Sequence, residues 1–270
     1  MKLVEVPDQT GKVIVITGYR SLAYYSALAL AKANAEIILL ARNIDKAQES
    51  ADKIKKESNN QKVSVEYMDL CKFETIHAFA NSYIESKRPI HVLMNNAGVL
   101  ALKERTVTQD GNEVQFQTNY LGHFLLTHLL MPVLKKSAPA RIVCLSSIAH
   151  IMPQASIYMD DVNLEKSYTP WKAYCQSKLA CLLFAKEISR RLVGTNITIN
   201  AVHPGIVDTP LWNEYSSYVP FGQTLYGLFK KVTMITPLQG AQSQIYVACS
   251  KECETASGIY LYIPIYNFYI

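Results

Sequence analysis

None of the six cysteines stands in a CxxC pair, and several lie inside apolar runs. They read as buried, reduced thiols of a cytosolic-type protein. No run of Lys and Arg exceeds two residues, so a net charge of +5 makes no basic stripe for nucleic acid. No uncharged apolar stretch reaches the roughly 18–20 residues that a membrane-spanning helix needs. Met1 to Thr10 carries Glu5, Pro7 and Asp8, which fits neither a signal peptide nor an anchor. His123 and His128 lack metal-ligand spacing and no carboxylate cluster joins them, so no metal site is expected. Glycine is sparse, 11 in 270 residues, and only one falls in the first strand-to-helix turn. The triplet Asn196-Ile197-Thr198 opens an apparent buried strand, which excludes a useful glycosylation site.

What is present is a globular composition, 49% hydrophobic and 18% charged, in a chain long enough for one large domain. Short β-branched runs alternate with helical periodicity. Strands are expected at Lys12–Thr17, Glu36–Leu40, Val63–Tyr67, Ile90–Met94, Arg141–Leu145, Ile197–Val202 and Ile259–Ile263. Helices are expected at Ser21–Ala33, Asp45–Glu57, Phe73–Ile84, Glu113–Leu134, Trp171–Leu192 and Gly240–Ala248. This alternation predicts an α/β fold: a doubly wound, Rossmann-type parallel sheet between two helical layers, as a single domain over 1–270. Ligands of such sheets bind beyond the carboxyl ends of the strands.

The residues at those ends carry the chemistry. After the first strand comes Thr17-Gly18-Tyr19-Arg20-Ser21-Leu22-Ala23, a turn where a glycine lets backbone approach a pyrophosphate at a helix N-terminus. After the fourth comes Asn95-Asn96-Ala97-Gly98, small and amide residues suited to a flat ligand. After the fifth come Ser146 and Ser147. Tyr174 and Lys178 stand four apart on one helix face, and a nearby ammonium favours the phenolate, making Tyr174 a general acid/base candidate.

This ordered combination resembles the short-chain dehydrogenase/reductase family over essentially the whole chain. Asn119-Tyr120-Leu121-Gly122-His123-Phe124, Ala173-Tyr174-Cys175-Gln176-Ser177-Lys178 and His203-Pro204-Gly205 resemble its retinol-dehydrogenase-like branch. The resemblance implies a catalytic tetrad of Asn119, Ser147, Tyr174 and Lys178. Ser147 would polarise the substrate oxygen, Tyr174 would exchange its proton, Lys178 would hold the ribose and depress the tyrosine pKa, and Asn119 would hold a relay water. It also implies that Asp69 and Leu70 border the adenine, that Asn96, Ala97 and Gly98 line the cofactor, and that Pro204, Gly205, Val207 and Thr209 cover the nicotinamide amide. The second strand ends in Ala41-Arg42-Asn43 and carries no acid for a ribose 2′-hydroxyl. Arg42, assisted by Arg20, suits a 2′-phosphate, so NADP is expected before NAD.

The family turn usually holds two further glycines. A one-residue deletion keeps the helix in register and puts Ser21 and Ala23 in their places, with Ser21 expected to cap the helix and donate to a phosphate. A gap-free reading would put Leu22 and Tyr24 there, in the way of the pyrophosphate. The altered turn keeps a second reading open, a non-catalytic binding or scaffold protein on the same fold. The aromatic stretch at about 211–236, with Trp212, Tyr215, Tyr218, Phe221, Leu225, Tyr226, Leu228 and Phe229, reads either as a substrate lid or as core. A lid of that kind favours a lipophilic alcohol or carbonyl compound of retinoid, steroid or polyisoprenoid type. Its end at Lys230 and Lys231 suits a peripheral membrane contact. The expected location is cytoplasmic, peripheral to endoplasmic reticulum or lipid droplets. The family often pairs through its two long helices, which implies a homodimer. The apolar tail Ile263–Ile270 is expected to follow the last strand as an arm packed on the domain or on a partner subunit.

Overall fold

The structure is a computed structural model that describes residues 3–219 and 222–262. Seven strands form one sheet: β1 (Val13–Thr17), β2 (Glu36–Ala41), β3 (Val63–Tyr67), β4 (Val92–Asn95), β5 (Ala140–Leu145), β6 (Ile197–His203) and β7 (Tyr260–Tyr262). Their order is β3-β2-β1-β4-β5-β6-β7, and every pairing is parallel. The sheet therefore reverses its winding between β1 and β4, and a crevice opens beyond their carboxyl ends. β1 is buried along its whole length, which is why it reads as an unbroken apolar run; β6 is buried as fully but carries Thr198, Asn200 and His203.

Two cores cover the two faces. On one, Ile14, Ile16 and Leu39 pack with α1 (Leu22–Lys32), α2 (Ile44–Ser58) and α9 (Pro237–Cys249). On the other, Val15, Leu93 and Ile142 pack with α3 (Phe73–Glu85), α5 (Gly122–Lys136) and α6 (Pro170–Arg191). The three-layer, doubly wound architecture is as expected. Among the described residues no helix is long and apolar enough to cross a membrane.

The expected helix Glu113–Leu134 is instead three pieces. A short α4 (Val114–Phe116) is capped by the buried Glu113 carboxylate, which accepts Gln115 and Phe116 N–H groups at 3.0 and 2.7 Å. A π-turn follows over Gln117–Leu121, and α5 begins only at Gly122. Gly122 is required there, because a Cβ would meet the Leu70 backbone oxygen at 3.0 Å and the Leu70 side chain at 2.9 Å. The close approach of the α5 start to Leu70 brings the π-turn onto the crevice wall.

The aromatic stretch forms two helices, α7 (Pro210–Ser217) and α8 (Gly222–Thr233). Phe221, the side chains of Leu225, Leu228, Phe229 and Lys231, and the tail 263–270 lie outside the described residues. Lys230 forms an ion pair with Asp208 at 2.6 Å, so one of the two charges expected at a membrane surface is spent inside the chain.

Candidate active site

A cleft of about 590 Å³ runs across the switch point. The β1 turn supplies Gly18, Arg20 and Ser21, and the β2 end supplies Arg42. Asp69 and Leu70 stand beside them, and Asn96, Ala97 and Gly98 form the β4 wall. Ser147, Tyr174 and Lys178 close the middle, and Pro204, Gly205, Val207 and Thr209 the far side. Of the residues expected at the site, Ala23 and Asn119 do not line this cleft. Ala23 packs under the turn, near where a Cβ on Gly18 would stand. Asn119 lies behind the wall, pressed on Gly98, where a Cβ would meet its Oδ1 at 2.9 Å.

Ser21 sits at φ 49°, ψ −115°, a conformation that belongs to glycine, as the one-residue deletion calls for at that place. Of the two residues that the gap-free reading puts in the turn, Leu22 lines the cleft and Tyr24 does not, its hydroxyl donating to Glu57 at 2.8 Å. The expected cap is absent: the Ser21 side chain makes no capping bond. An N-cap hydroxyl reaches the first-turn N–H groups from extended backbone, which Ser21 does not have. Such strain costs about 1–3 kcal/mol, and a glycine there gives back roughly 0.5–1 kcal/mol of unfolded-state entropy. Ser21→Gly should therefore raise the thermal unfolding midpoint by a few degrees, and a lowered midpoint would show that the serine is unstrained.

Thr17 ends β1 as a fully buried polar residue. Its Oγ1 accepts the Asn96 and Ala97 N–H groups at 2.8 and 2.9 Å, and Asn96 Nδ2 donates to Thr17 O at 3.0 Å. These bonds hold the β4 wall against the turn. Asn96 Oδ1 stays a buried acceptor with no partner among the described residues, on a side chain that lines the cleft. Neither Arg20 nor Arg42 forms an ion pair among the described residues. An orphan acceptor, two guanidiniums outside any ion pair among the described residues (Arg20 over the Tyr19 ring at 5.0 Å) and glycines at 18 and 98 fit a dinucleotide with hydroxyls and phosphates.

In the middle, Ser147 follows β5 and lines the cleft with Tyr174, where its side chain favours the ionised form of the phenol. Lys178 is buried, and its Nζ donates to Leu145 O at 2.9 Å. Ser146 Oγ donates to Lys178 O at 2.8 Å, which ties the β5 end to α6. The expectation that Lys178 depresses the Tyr174 pKa needs correcting for this state. Burial raises the Tyr174 phenol above its ordinary value and outweighs the lowering by the Ser147 side chain. The ammonium lies 5.7 Å from the ring centroid and spends a donor on the Leu145 carbonyl. Burial also lowers the Lys178 pKa.

Asn119 makes its amide bonds to protein. Nδ2 donates to Val99 O at 3.0 Å and to Ser177 Oγ at 2.9 Å, and Oδ1 accepts from Val99 N at 2.8 Å. Its carbonyl, on the π-turn, faces His123 Nδ1 at 3.0 Å. Sequence reading missed Thr17, His123 and Ser177. A threonine closing an otherwise apolar strand was the available signal.

Beyond Tyr174 the cleft turns apolar, with Ile148, Met152, Leu211 and Trp212. Trp171 packs edge-on against Tyr174 at 5.9 Å, and its Nε1 donates to Tyr215 Oη of α7 at 2.8 Å. The aromatic stretch thus reaches the site through Trp171.

His123 and His203 are buried, and burial lowers both to about 4. Between that value and the ordinary 6.5 the unfolded chain binds the proton and the folded chain does not. Unfolding free energy should therefore fall as pH drops from 6.5 toward 4 and level off below, by on the order of 3 kcal/mol for each ring. Urea melts of His203→Gln against the native chain across this window should show a shallower fall, and equal slopes would contradict it.

Residues 16–228 match the family described as enoyl-(acyl carrier protein) reductase. The chain is 40% identical over 253 residues to retinol dehydrogenase 13 of Homo sapiens, covering 93% of this chain and 76% of that one. It is 37% identical over 268 residues to polyprenol dehydrogenase of Danio rerio, covering 97% and 81%. Among solved structures, an uncharacterized protein from Mycobacterium paratuberculosis superposes with a TM-score of 0.75 at 31% identity, covering 96% and 82%. With its sheet order, its cleft and these likenesses together, the chain belongs to the short-chain dehydrogenase/reductase family, in the retinol-dehydrogenase-like branch, and is an oxidoreductase acting on CH–OH groups.

Proposed function

We propose that this protein interconverts a lipophilic alcohol and its aldehyde or ketone, using NADP(H), through Ser147, Tyr174, Lys178 and Asn119. The observation that carries it is that Ser147, Tyr174 and Lys178 line one cleft together, at the point where its polar half meets its apolar half. The bound dinucleotide supplies the hydride. Ser147 Oγ donates to the substrate oxygen, and Tyr174 Oη gives that oxygen its proton in reduction or takes it in oxidation. Lys178 is held beside Tyr174 with donors to spare for a ribose hydroxyl. Asn119, pinned to Val99 and Ser177, fixes the wall behind Gly98. Arg42 and Arg20 favour the 2′-phosphate, because guanidinium forks pair with phosphate bidentately. The apolar far end, with Trp171 and Trp212, favours a retinoid, steroid or polyisoprenoid, and two of the named relatives are a retinol and a polyprenol dehydrogenase.

The lid is assigned to α7 and α8, tethered by the Trp171–Tyr215 bond. Two surface readings accompany this one. Phe124 and Leu183 are exposed on α5 and α6, the faces that a homodimer of the expected kind would cover. Ile148, Ile151 and Met152 are exposed beside the cleft and suit peripheral contact with a lipid surface better than the ion-paired Lys230.

The test is reduction of retinaldehyde by the purified protein with NADPH or NADH. NADPH should be preferred, and Arg42→Ala should shrink the preference about tenfold or more by raising KM for NADPH alone. No turnover with either cofactor, on retinaldehyde, a ketosteroid and a polyprenal alike, would contradict the reading.

A further inference from the structure

His123 is buried at the start of α5, between the end of β1 and the π-turn. Its Nε2 lies 2.8 Å from Thr17 Oγ1, and its Nδ1 lies 3.0 Å from the Asn119 carbonyl. Proton counting fixes which nitrogen does what. Thr17 Oγ1 already accepts two N–H groups, from Asn96 and Ala97, so its single hydrogen is left to donate. The alternative acceptor, Met94 O, is 3.4 Å away, against 2.8 Å for the ring. Nε2 is thus the acceptor, and Nδ1 carries the hydrogen that goes to the Asn119 carbonyl. That carbonyl also accepts the Cys181 thiol at 3.2 Å.

We infer that the His123 imidazole, held as the Nδ1–H tautomer, is a positioning residue that joins the dinucleotide wall to the catalytic π-turn. One nitrogen serves Thr17 and, through it, the Asn96-Ala97-Gly98 backbone. The other fixes the carbonyl of Asn119, whose amide abuts Gly98 and bonds Ser177. The inference rests on the assignment of Asn119 and the cleft made under the proposed function.

The two halves of the ring can be separated chemically. An asparagine amide reaches the place of Nδ1, and a glutamine amide reaches the place of Nε2. His123→Asn keeps the donor to Asn119 and strips Thr17 of its acceptor. His123→Gln keeps the acceptor for Thr17 and strips the Asn119 carbonyl of its donor. Loss of one hydrogen bond at each place corresponds to a several-fold change. NADPH Kd should rise several-fold in His123→Asn with kcat nearly kept. In His123→Gln, kcat on retinaldehyde should fall several-fold with NADPH Kd nearly kept.

A purely structural histidine would lower stability in both variants without this split. The tautomer is read independently, in the cofactor-free native chain labelled with ¹⁵N-histidine, the His123 signals being assigned by their loss in the variants. A protonated Nδ1 and a bare Nε2 are expected. A protonated Nε2 overturns the inference, and so do two variants that change Kd and kcat alike. Should the native chain bind no NADPH, the functional reading fails, and the ring-nitrogen pattern still decides the clamp.

Discussion

Tyr174→Phe should lower turnover by about 10²–10⁴-fold, the usual contribution of a positioned acid/base, and leave NADPH affinity nearly unchanged. The ring stays, and with it the edge-on packing against Trp171; only the hydroxyl is lost. The raised phenol pKa adds a sign. At neutral pH burial keeps Tyr174 protonated, the form that gives a proton to a carbonyl oxygen. Carbonyl reduction should therefore hold its rate through neutral pH. Alcohol oxidation needs the ionised phenol, so its kcat should climb as pH rises into the alkaline range. Steady-state rates in both directions across pH check this. A Phe variant with native turnover, or an oxidation rate indifferent to pH, would remove Tyr174 from the proton transfer.

Gly98→Ala should be nearly as damaging, although it removes no functional group. An added Cβ stands 2.9 Å from Asn119 Oδ1 and 3.6 Å from Lys178 Nζ. The first distance is shorter than real Cβ atoms tolerate, and Asn119 has no slack, because its amide bonds Val99 twice and Ser177 once. Either the β4 wall or the asparagine must shift by several tenths of an ångström. Displacements approaching 1 Å at catalytic groups cost about 10²-fold, so kcat should fall by about that factor. The fold itself should survive, since the added methyl meets side chains at the cleft wall rather than the cores. Kinetics and a thermal melt on the same preparation separate the two effects, and an alanine variant with native kcat would show that Asn119 and Lys178 are free to move.

The parallel sheet was legible because β1 and β2 are buried on both faces and leave nearly continuous apolar runs that no amphipathic element produces. Ser147, Tyr174 and Lys178 were legible as candidates because a strand end and one helix face fall in the expected order, and the family resemblance, not spacing alone, gave them their roles. The π-turn was not. Gln117–Leu121 reads as ordinary helix, and its widening is set by tertiary contacts, the Gly122–Leu70 approach and the bonds to Val99 and His123. The Tyr174 pKa direction was misjudged for a related reason. Sequence spacing shows the ammonium four residues away, but the desolvation of the phenol and the diversion of Lys178 to Leu145 O appear only once the chain is packed. The turn at Ser21 lay between the two cases, with its register readable from the helix that follows and its glycine-like backbone not.

Calorimetric titration of the purified chain with NADPH, and separately with NADH, puts the central claim to its most direct test. A cleft that seats a nicotinamide dinucleotide over Ser147 and Tyr174 predicts saturable binding of NADPH at micromolar concentration, weakened in Arg42→Ala. Heat of dilution alone with both dinucleotides would contradict it.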